Sequence, residues 1–143
     1  MDQQPQGVVP HLVVEGAADA LDFYKTAFGA SEVMRLPAED GKRLMHAAMI
    51  VNGCHIFLMD DFPEFREQCS GNKVLGPKTN GATTFVLHLS VPDCDAAVKR
   101  AADAGCSVMM EPWDAFWGDR YGQVLDPYGH AWSFAHPLPG KQN

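Results

Sequence analysis

Residues 116–134 read Phe116-Trp117-Gly118-Asp119-Arg120-Tyr121-Gly122-Gln123-Val124-Leu125-Asp126-Pro127-Tyr128-Gly129-His130-Ala131-Trp132-Ser133-Phe134. Residues 126–129 predict a tight turn, because proline presets φ at the first central position and glycine tolerates the left-handed conformation. The flanking residues 121–125 and 131–136 are rich in aromatic and apolar side chains, which suit strands. The stretch therefore predicts a β-hairpin near the end of the chain.

The segment before this hairpin repeats a pattern found earlier in the chain. His11-Leu12-Val13-Val14 lies in a predicted strand at 8–14 and is followed by a break, a helical pattern at 17–28 and a strand at 31–36. His88-Leu89-Ser90-Val91 lies in a predicted strand at 83–91 and is followed by a break, a helical pattern at 93–104 and a strand at 107–110. In the first copy a second hairpin, residues 44–51 and 55–59, surrounds the strong turn signal Asn52-Gly53. A repeated strand–helix–three-strand unit predicts an α+β fold of paired βαβββ modules.

These boundaries predict one domain over residues 1–143, with module one at about 8–60 and module two at about 83–136. Residues 61–82 between them are polar and have no clear period, so we interpret them as a long linking loop that is either a lid or a simple connector. The acidic cluster at the start of this loop, Asp60, Asp61 and Glu64, is expected to be a solvated surface.

Strand alternation predicts which side chains of each module face its helix. In module two Leu87 and Leu89 share the apolar face, so His88 points to the opposite face. In module one Leu12 goes under the helix and His11 points away. Two sheets whose free faces curve toward each other enclose a cavity, and the two histidines then occupy matching places inside it.

Composition excludes several classes of function. The chain has 143 residues, is 46% hydrophobic and carries a formal charge of -7. A nucleic-acid partner is not expected, because phosphate binding needs clustered basic residues. No apolar run approaches the roughly 20 residues of a membrane span, and residues 1–7 lack a signal-peptide pattern, so we expect no membrane partner and a cytoplasmic location. The four cysteines form no CxxC pair and are expected to be free thiols.

Several motifs together indicate a family. They are Ala18-Asp19-Ala20-Leu21-Asp22-Phe23-Tyr24-Lys25-Thr26-Ala27-Phe28-Gly29-Ala30, Met45-His46-Ala47, Leu87-His88-Leu89, Phe116-Trp117-Gly118-Asp119-Arg120-Tyr121-Gly122-Gln123 and Asp126-Pro127-Tyr128-Gly129-His130. With them, residues 8–136 resemble the vicinal oxygen chelate superfamily, which includes glyoxalase I, extradiol dioxygenases, fosfomycin-resistance enzymes and bleomycin-binding proteins. The motifs are most similar to its PhnB-like branch. The resemblance implies a cup-shaped mixed sheet, the glyoxalase/bleomycin-resistance fold, and a homodimer.

The resemblance also locates the usual metal-binding positions. Carried over by counting from the motifs, they fall at Val9, Val86 and Ser133 and near Phe57. None of these is the imidazole or carboxylate donor that such metals need, so no cofactor and no metal ligand is expected there. One alternative stays open, in which His11 and His88 form a displaced divalent-metal site with His46 or Asp60.

Two functions follow as alternatives. The first is a metal-independent protein that binds a small molecule in the cavity. The second is a glyoxalase-like lyase or isomerase acting on a small oxygenated or phosphorylated substrate, in which His11 and His88 serve as acid and base or as ligands of the displaced metal. In either case Arg120 would orient a polar or anionic group, and the chemical identity of the ligand stays open. The predicted ligand-binding residues are His46, Trp113, Phe116, Trp117, Arg120 and Ser133.

Overall fold

The computed structural model describes residues 4–66, 68 and 73–140. The chain divides into two compact units. The first comprises the residues up to Lys25 together with Gly29–Ala82, and the second comprises Thr26–Phe28 together with the residues from Thr83 onward. Each unit contains one four-stranded mixed sheet. This arrangement confirms the predicted α+β class and the repeated order of strand, helix and three strands.

The first unit is built around the sheet order β1-β4-β3-β2. Strand β1 runs parallel to β4, whereas β2–β3 and β3–β4 are antiparallel pairs. The hairpin turn between β3 and β4 has left-handed backbone at Asn52 (φ 49°) and Gly53 (φ 77°), as the sequence predicted. The elements are β1 (His11–Val14), α1 (Ala17–Phe28), β2 (Ser31–Pro37), β3 (Leu44–Val51), β4 (Cys54–Asp60), α2 (Pro63–Arg66) and α3 (Pro77–Asn80).

The apolar faces of α1 and β1 meet in the core of the first unit. Leu12 and Val14 on β1 are fully buried, and so are Ala20 and Tyr24 one turn apart on α1. This spacing places one apolar stripe of the helix on one face of the sheet. His11, the residue before Leu12, is exposed, as alternation predicted.

The second unit repeats this plan with the sheet order β5-β8-β7-β6. Strand β5 is parallel to β8, and the other neighbours are antiparallel. Helix α4 begins after Asp93, whose carboxylate accepts a hydrogen bond from the N–H of Ala96, and ends at Gly105. The structure therefore confirms the predicted start and end of this helix. The elements are β5 (Val86–Ser90), α4 (Cys94–Ala104), β6 (Ser107–Asp114), β7 (Asp119–Leu125) and β8 (Ala131–Pro137).

The predicted hairpin, in which strands flank the turn at residues 126–129, is confirmed. The N–H of Gly129 bonds to the carbonyl of Asp126 at 3.1 Å, and Gly129 has φ 90°. The Asp126 carboxylate also accepts bonds from the N–H groups of Tyr128 and His130 and from the indole of Trp132. One buried carboxylate therefore holds the whole turn against β8.

Three predicted strand boundaries, the linking loop and one predicted environment differ from the structure. The linking loop contains two one-turn helices, α2 and α3, while its residues 67 and 69–72 lie outside the described part of the chain. Strand β1 begins at His11 rather than at residue 8, β5 begins at Val86 rather than at residue 83, and β6 continues past residue 110 to Asp114. Asp60 and Asp61 are 3% and 8% exposed, so this part of the acidic cluster is buried rather than solvated. In the described chain, no helix is long and apolar enough to cross a membrane.

Candidate functional site

The open face of the second sheet carries several of the predicted site residues. Leu87 and Leu89 are buried, whereas Val86, His88 and Ser90 are exposed. This alternation puts His88 on the face opposite the buried leucines. The register between β5 and β8 then places Ser133 directly beside His88.

His88 is held by two contacts. Its Nδ1 lies 2.7 Å from Oγ of Ser133, whose side chain is 1% exposed in the unit. The imidazole also stacks almost parallel on the ring of Tyr121, with centroids 6.0 Å apart and an interplanar angle of 11°. A hydrogen bond in the ring plane and a stacked neighbour together define the orientation of this imidazole.

An aromatic cluster continues from His88 along the same unit. It consists of Trp113, Phe116, Trp117 and Tyr121, with Trp117 in contact with the other three. Its ring centroid lies 5.5 Å from that of Tyr121, 5.8 Å from that of Trp113 and 5.0 Å from that of Phe116. The exposed fractions are 39% for Trp113, 43% for Trp117 and 91% for Phe116. The cluster is therefore an open surface.

Hydrogen bonds orient both indoles of the aromatic cluster. The N–H of Trp117 donates to Asp119 at 3.0 Å, and that of Trp113 donates to the sulfur of Met110 at 3.1 Å. A depression of about 360 Å³ adjoins His88 and is lined also by Ser90, Pro92, Asp119, Ala135 and His136. The structure thus places the predicted Ser133 beside the predicted His88, and Tyr121 connects His88 to three further predicted ligand-binding residues, Trp113, Phe116 and Trp117.

Arg120 is not part of this arrangement. Its guanidinium bonds to both oxygens of Asp95 on α4 and to Asp114 on β6. These ion pairs raise its pKa further above the usual value, with the hydrogen bond to Asp95 as the largest cause. Arg120 therefore lies on the helix side of the sheet, and its predicted role in orienting an anion has no support in the geometry.

Tyr121 belongs to the cluster although sequence analysis did not select it. Trp117, Asp119 and Tyr121 alternate with Arg120 along the same stretch of chain. Side chains two residues apart in a strand share a face. This alternation therefore predicts that Tyr121 lies on the same face as the cluster and that Arg120 lies on the opposite face.

The first unit carries a different group at the matching place. His11, His46 and Phe57 form three mutually edge-on rings, with centroids 5.6 Å apart for His11–His46, 5.9 Å for His11–Phe57 and 4.8 Å for His46–Phe57. Partial burial, and next the nearby His46, lower the pKa of His11. At neutral pH the His11 imidazole is therefore a neutral group that can act as an acceptor or a base.

Strand registers show which residues of the two units correspond. His11 pairs with Phe57 in the first sheet and His88 pairs with Ser133 in the second. His46 lies on β3, two residues before the residue that pairs with Phe57. Tyr121 lies on β7, two residues before the residue that pairs with Ser133. Three equivalent positions of the repeat therefore hold His11, His46 and Phe57 in one unit and His88, Tyr121 and Ser133 in the other.

A second pair of equivalent residues anchors the start of each helix. Asp60 Oδ1 accepts bonds from the N–H groups of Gly16 and Ala17, and its Oδ2 accepts one from Leu44. In the second unit Nδ1 of His136 accepts a bond from the N–H of Cys94, the first residue of α4. The sequence around Asp60 predicts a surface acid or a metal ligand, and no local motif connects Asp60 with residue 16.

The side chains at the metal-binding positions that the resemblance implies do not fit a metal. Val86 carries no donor atom, Phe57 packs against two imidazoles, and Ser133 is bonded to His88. The alternative ligand Asp60 has both oxygens directed to backbone N–H groups. Across residues 4–66, 68 and 73–140, no three His, Cys, Asp or Glu side chains are grouped closely enough to hold a metal ion.

Comparison with known proteins establishes the family. Residues 8–134 match the model of the Glyoxalase/Bleomycin resistance protein/Dioxygenase superfamily. The chain belongs to this superfamily. Its two mixed sheets with their helices agree with the fold of that superfamily.

Individual relatives share most of the chain. The uncharacterized protein Mb0911c of Mycobacterium bovis is 48% identical over 129 residues, which cover 90% of this chain and 82% of that protein. The anthracycline biosynthesis protein DauV of a Streptomyces species is 32% identical over 124 residues, which cover 85% of this chain but only 38% of DauV. The crystal structure of TioX from a Micromonospora species superposes with a TM-score of 0.70 at 25% identity, covering 93% of this chain and 99% of TioX.

The narrower PhnB-like branch is weakly indicated. A Bacillus cereus protein described as a putative 3-demethylubiquinone-9 3-methyltransferase, PhnB protein, superposes with a TM-score of 0.62. Its sequence identity is 17%, over 93% of this chain and 99% of that one. At this identity the similarity shows a common fold alone, and assignment to the branch stays a prediction.

Proposed function

We propose that this protein binds a planar aromatic small molecule on the aromatic cluster of its second unit, without the usual metal. The observation that carries this proposal is the exposure of three contacting rings, Trp113, Phe116 and Trp117, on one open surface. Large apolar side chains that are exposed together, rather than singly, are characteristic of binding sites. The rings of Trp113 and Phe116 stand perpendicular to that of Trp117, at 88° and 90°, so a planar ligand stacked on Trp117 meets the other two rings edge-on. Stacked and edge-on aromatic pairs each contribute about 0.5–1.5 kcal/mol beyond the surface they remove from water.

The surroundings of the aromatic cluster favour a ligand that needs no anionic group. Arg120 is engaged by Asp95 and Asp114, and the polar groups at the edge of the cluster are Asp119 and His88. Among the relatives, DauV is named for anthracycline biosynthesis, and an anthracycline contains a planar fused aromatic ring system. Both observations support a flat, largely apolar ligand.

A binding experiment with one matched control tests the proposal. The probe is 9-fluorenone, a rigid planar tricycle, titrated against the protein and followed by calorimetry and by amide shifts in NMR spectra. Trp117→Ala is expected to weaken binding about fivefold or more, in line with the 1–3 kcal/mol of a stacking contact. Phe65→Ala is the control, because Phe65 is also 43% exposed but lies in the first unit. Equal loss in both variants, or no binding to wild type, would contradict the proposal.

A second candidate function is the glyoxalase-like enzyme. It is favoured by the lowered pKa of His11, which keeps a neutral base on the first unit, and by the oriented imidazole of His88. An enzyme of this kind loses turnover in His88→Ala while its fold, monitored by circular dichroism, is unchanged. Tight ligand binding that survives this substitution, with no turnover in wild type, favours the binding protein instead.

We propose in addition that the protein forms a homodimer. Each sheet has two outer strands, and one of them, β2 in the first sheet and β6 in the second, exposes apolar side chains, with Leu36 at 53% and Met109 at 58% exposure. An outer strand with exposed apolar residues is a ready template for pairing with another chain. Sedimentation velocity over a wide concentration range measures the oligomeric state, and a species of monomer mass throughout would refute the dimer.

A further inference from the structure

We infer that the aromatic ligand presents a carbonyl oxygen to His88, and that Ser133 is the positioning residue that makes His88 a hydrogen-bond donor. This inference rests on the proposed function and names the chemical class of its ligand as aryl ketones and quinones. It is carried by three observations on the second unit: the burial of Ser133, the hydrogen bond to Nδ1 of His88, and the place of His88 at the end of the aromatic cluster.

The direction of the Ser133–His88 hydrogen bond follows from the burial of the serine. Ser133 is 1% exposed, and in the described chain the imidazole is the partner of its hydroxyl group. A hydroxyl with one partner is best satisfied by donating, because a buried O–H without an acceptor loses its hydrogen bond to water with nothing in return, whereas an oxygen lone pair is left unused at smaller cost. Ser133 Oγ–H therefore donates, and Nδ1 of His88 accepts.

The acceptor role of Nδ1 decides what His88 offers to a ligand. A neutral imidazole carries one proton, so a lone pair on Nδ1 places that proton on Nε2. The parallel stack on Tyr121 holds the plane of the ring. His88, which is exposed, therefore presents an N–H donor of fixed tautomer.

The position of this donor defines the ligand. His88 contacts Tyr121, and Tyr121 contacts Trp117, so a flat molecule lying on the aromatic cluster has one edge beside His88. An N–H donor at that edge is satisfied by an acceptor oxygen in the ligand plane, which a ring ketone or a quinone provides. The depression of about 360 Å³ is lined by His88 and by Asp119, the hydrogen-bond partner of the Trp117 indole, so it lies beside the N–H donor and next to the cluster.

The first unit supplies an internal contrast. At the position equivalent to Ser133 it has Phe57, whose ring packs edge-on against His11. A phenyl ring donates no hydrogen bond to imidazole nitrogen and thus does not fix the tautomer. The structure therefore assigns carbonyl recognition to His88 and not to His11.

The first experiment compares 9-fluorenone with fluorene, which has a methylene group in place of the carbonyl and otherwise the same planar rings. Wild type is expected to bind fluorenone about fivefold more tightly, equivalent to one hydrogen bond of about 1 kcal/mol. His88→Phe keeps a flat ring to stack on Tyr121 and removes the nitrogen. This variant is expected to bind both compounds with the affinity that wild type has for fluorene.

The second experiment tests the positioning role of Ser133 without any ligand. The ¹⁵N shifts of the His88 ring in the free protein are expected to show a single tautomer protonated at Nε2 in wild type and a mixture of tautomers in Ser133→Ala. Ser133→Thr retains the hydroxyl and is expected to restore both the single tautomer and the preference for fluorenone. A merely structural role for Ser133 would leave the ring shifts unchanged in Ser133→Ala.

The outcomes separate this inference from the proposed function. Equal affinity of wild type for fluorenone and fluorene, with both lost in Trp117→Ala, would overturn carbonyl recognition and retain the aromatic site. Protonation of His88 at Nδ1 in the free protein would overturn the assigned role of Ser133. Binding of neither compound would overturn the aromatic site itself, and the ligand class with it.

Discussion

Replacing Asp60 by alanine removes one carboxylate that accepts hydrogen bonds from three backbone N–H groups. Its oxygens lie 2.7 Å from the nitrogen of Gly16, 3.1 Å from that of Ala17 and 2.7 Å from that of Leu44. The first two donors belong to the start of α1, where backbone N–H groups have no partner within the helix. Leu44 begins β3, so Asp60 fixes one end of a helix and one end of a strand together.

The size of the effect follows from the burial of these donors. The bonds to Ala17 and Leu44 are buried, and the bond to Gly16 is partly buried. Each buried donor left without an acceptor costs about 1–3 kcal/mol, and water can replace part of the bond to Gly16. Asp60→Ala is therefore expected to lower the free energy of unfolding by about 3–5 kcal/mol, which is a large fraction of the stability of a typical domain.

Asp60→Asn separates the two ends of this anchor. The amide oxygen of asparagine can still accept from Gly16 and Ala17, but its NH₂ group then faces the N–H of Leu44, and two donors oppose each other. About half of the alanine effect, roughly 2 kcal/mol, is expected to remain. The matched control is Asp103→Asn, because the Asp103 side chain is 66% exposed in an ion pair with Lys99, and surface substitutions of this kind change stability by less than about 0.5 kcal/mol.

Urea unfolding followed by circular dichroism measures all three variants, with the slope of the transition checked in each for a change of mechanism. If Asp60→Ala were as mild as Asp103→Asn, Asp60 would be the solvated surface acid that its sequence context suggests. The anchoring role derived from the three hydrogen bonds would then be refuted.

Three further predictions concern other parts of the chain. Gly122→Ala is expected to cost about 1–3 kcal/mol in urea unfolding, because a Cβ there would lie 2.8 Å from a buried side chain of α4; unchanged stability would contradict this close approach. Burial raises the pKa of the Cys94 thiol to about 11, so a thiol reagent at pH 8 should modify the exposed Cys54 before Cys94. Equal rates of modification of these two thiols would be inconsistent with the structure. The hydrogen bond from Arg35, with smaller contributions, lowers the pKa of Glu32 to about 2. The ionised Glu32 therefore stabilises the fold fully above the usual carboxyl pKa, and this stabilisation is lost as pH falls towards 2. Glu32→Gln should make the free energy of unfolding less dependent on pH in this range, whereas identical pH profiles of the two proteins would argue against the pair.

The sequence predicts the fold where local signals carry the information. The hairpin turn at Asp126-Pro127-Tyr128-Gly129, the turn at Asn52-Gly53 and the helix start at Asp93 depend on backbone conformations or caps that a few residues determine. The alternation around His88 predicted its face correctly for the same reason. These features need no knowledge of distant contacts.

The sequence does not predict features that depend on partners far along the chain. Asp60 bonds to residues 16 and 17, and Arg120 pairs with Asp95, 25 residues earlier. Nothing in the sequence next to Asp60 or Arg120 distinguishes a buried anchor from a surface acid, or an engaged guanidinium from a ligand-binding one. His55 illustrates the same limit, since it is 4% exposed although it follows a surface turn.

The repeat separates what the fold requires from what the site requires. In each unit, the residue three positions after the strand partner of His11 or His88 accepts a hydrogen bond from the start of the helix. This acceptor is the carboxylate of Asp60 in the first unit and the imidazole of His136 in the second. Both satisfy a backbone N–H, so the fold accepts either residue. On the open face the equivalent residues Phe57 and Ser133 do not substitute for each other, because only the hydroxyl can orient an imidazole. Residues on that face are not needed to close the core of their unit, so ligand binding can determine which residue types occupy these positions. Differences between equivalent positions of the repeat, rather than their similarities, are therefore the basis on which we propose ligand recognition at His88 and Ser133.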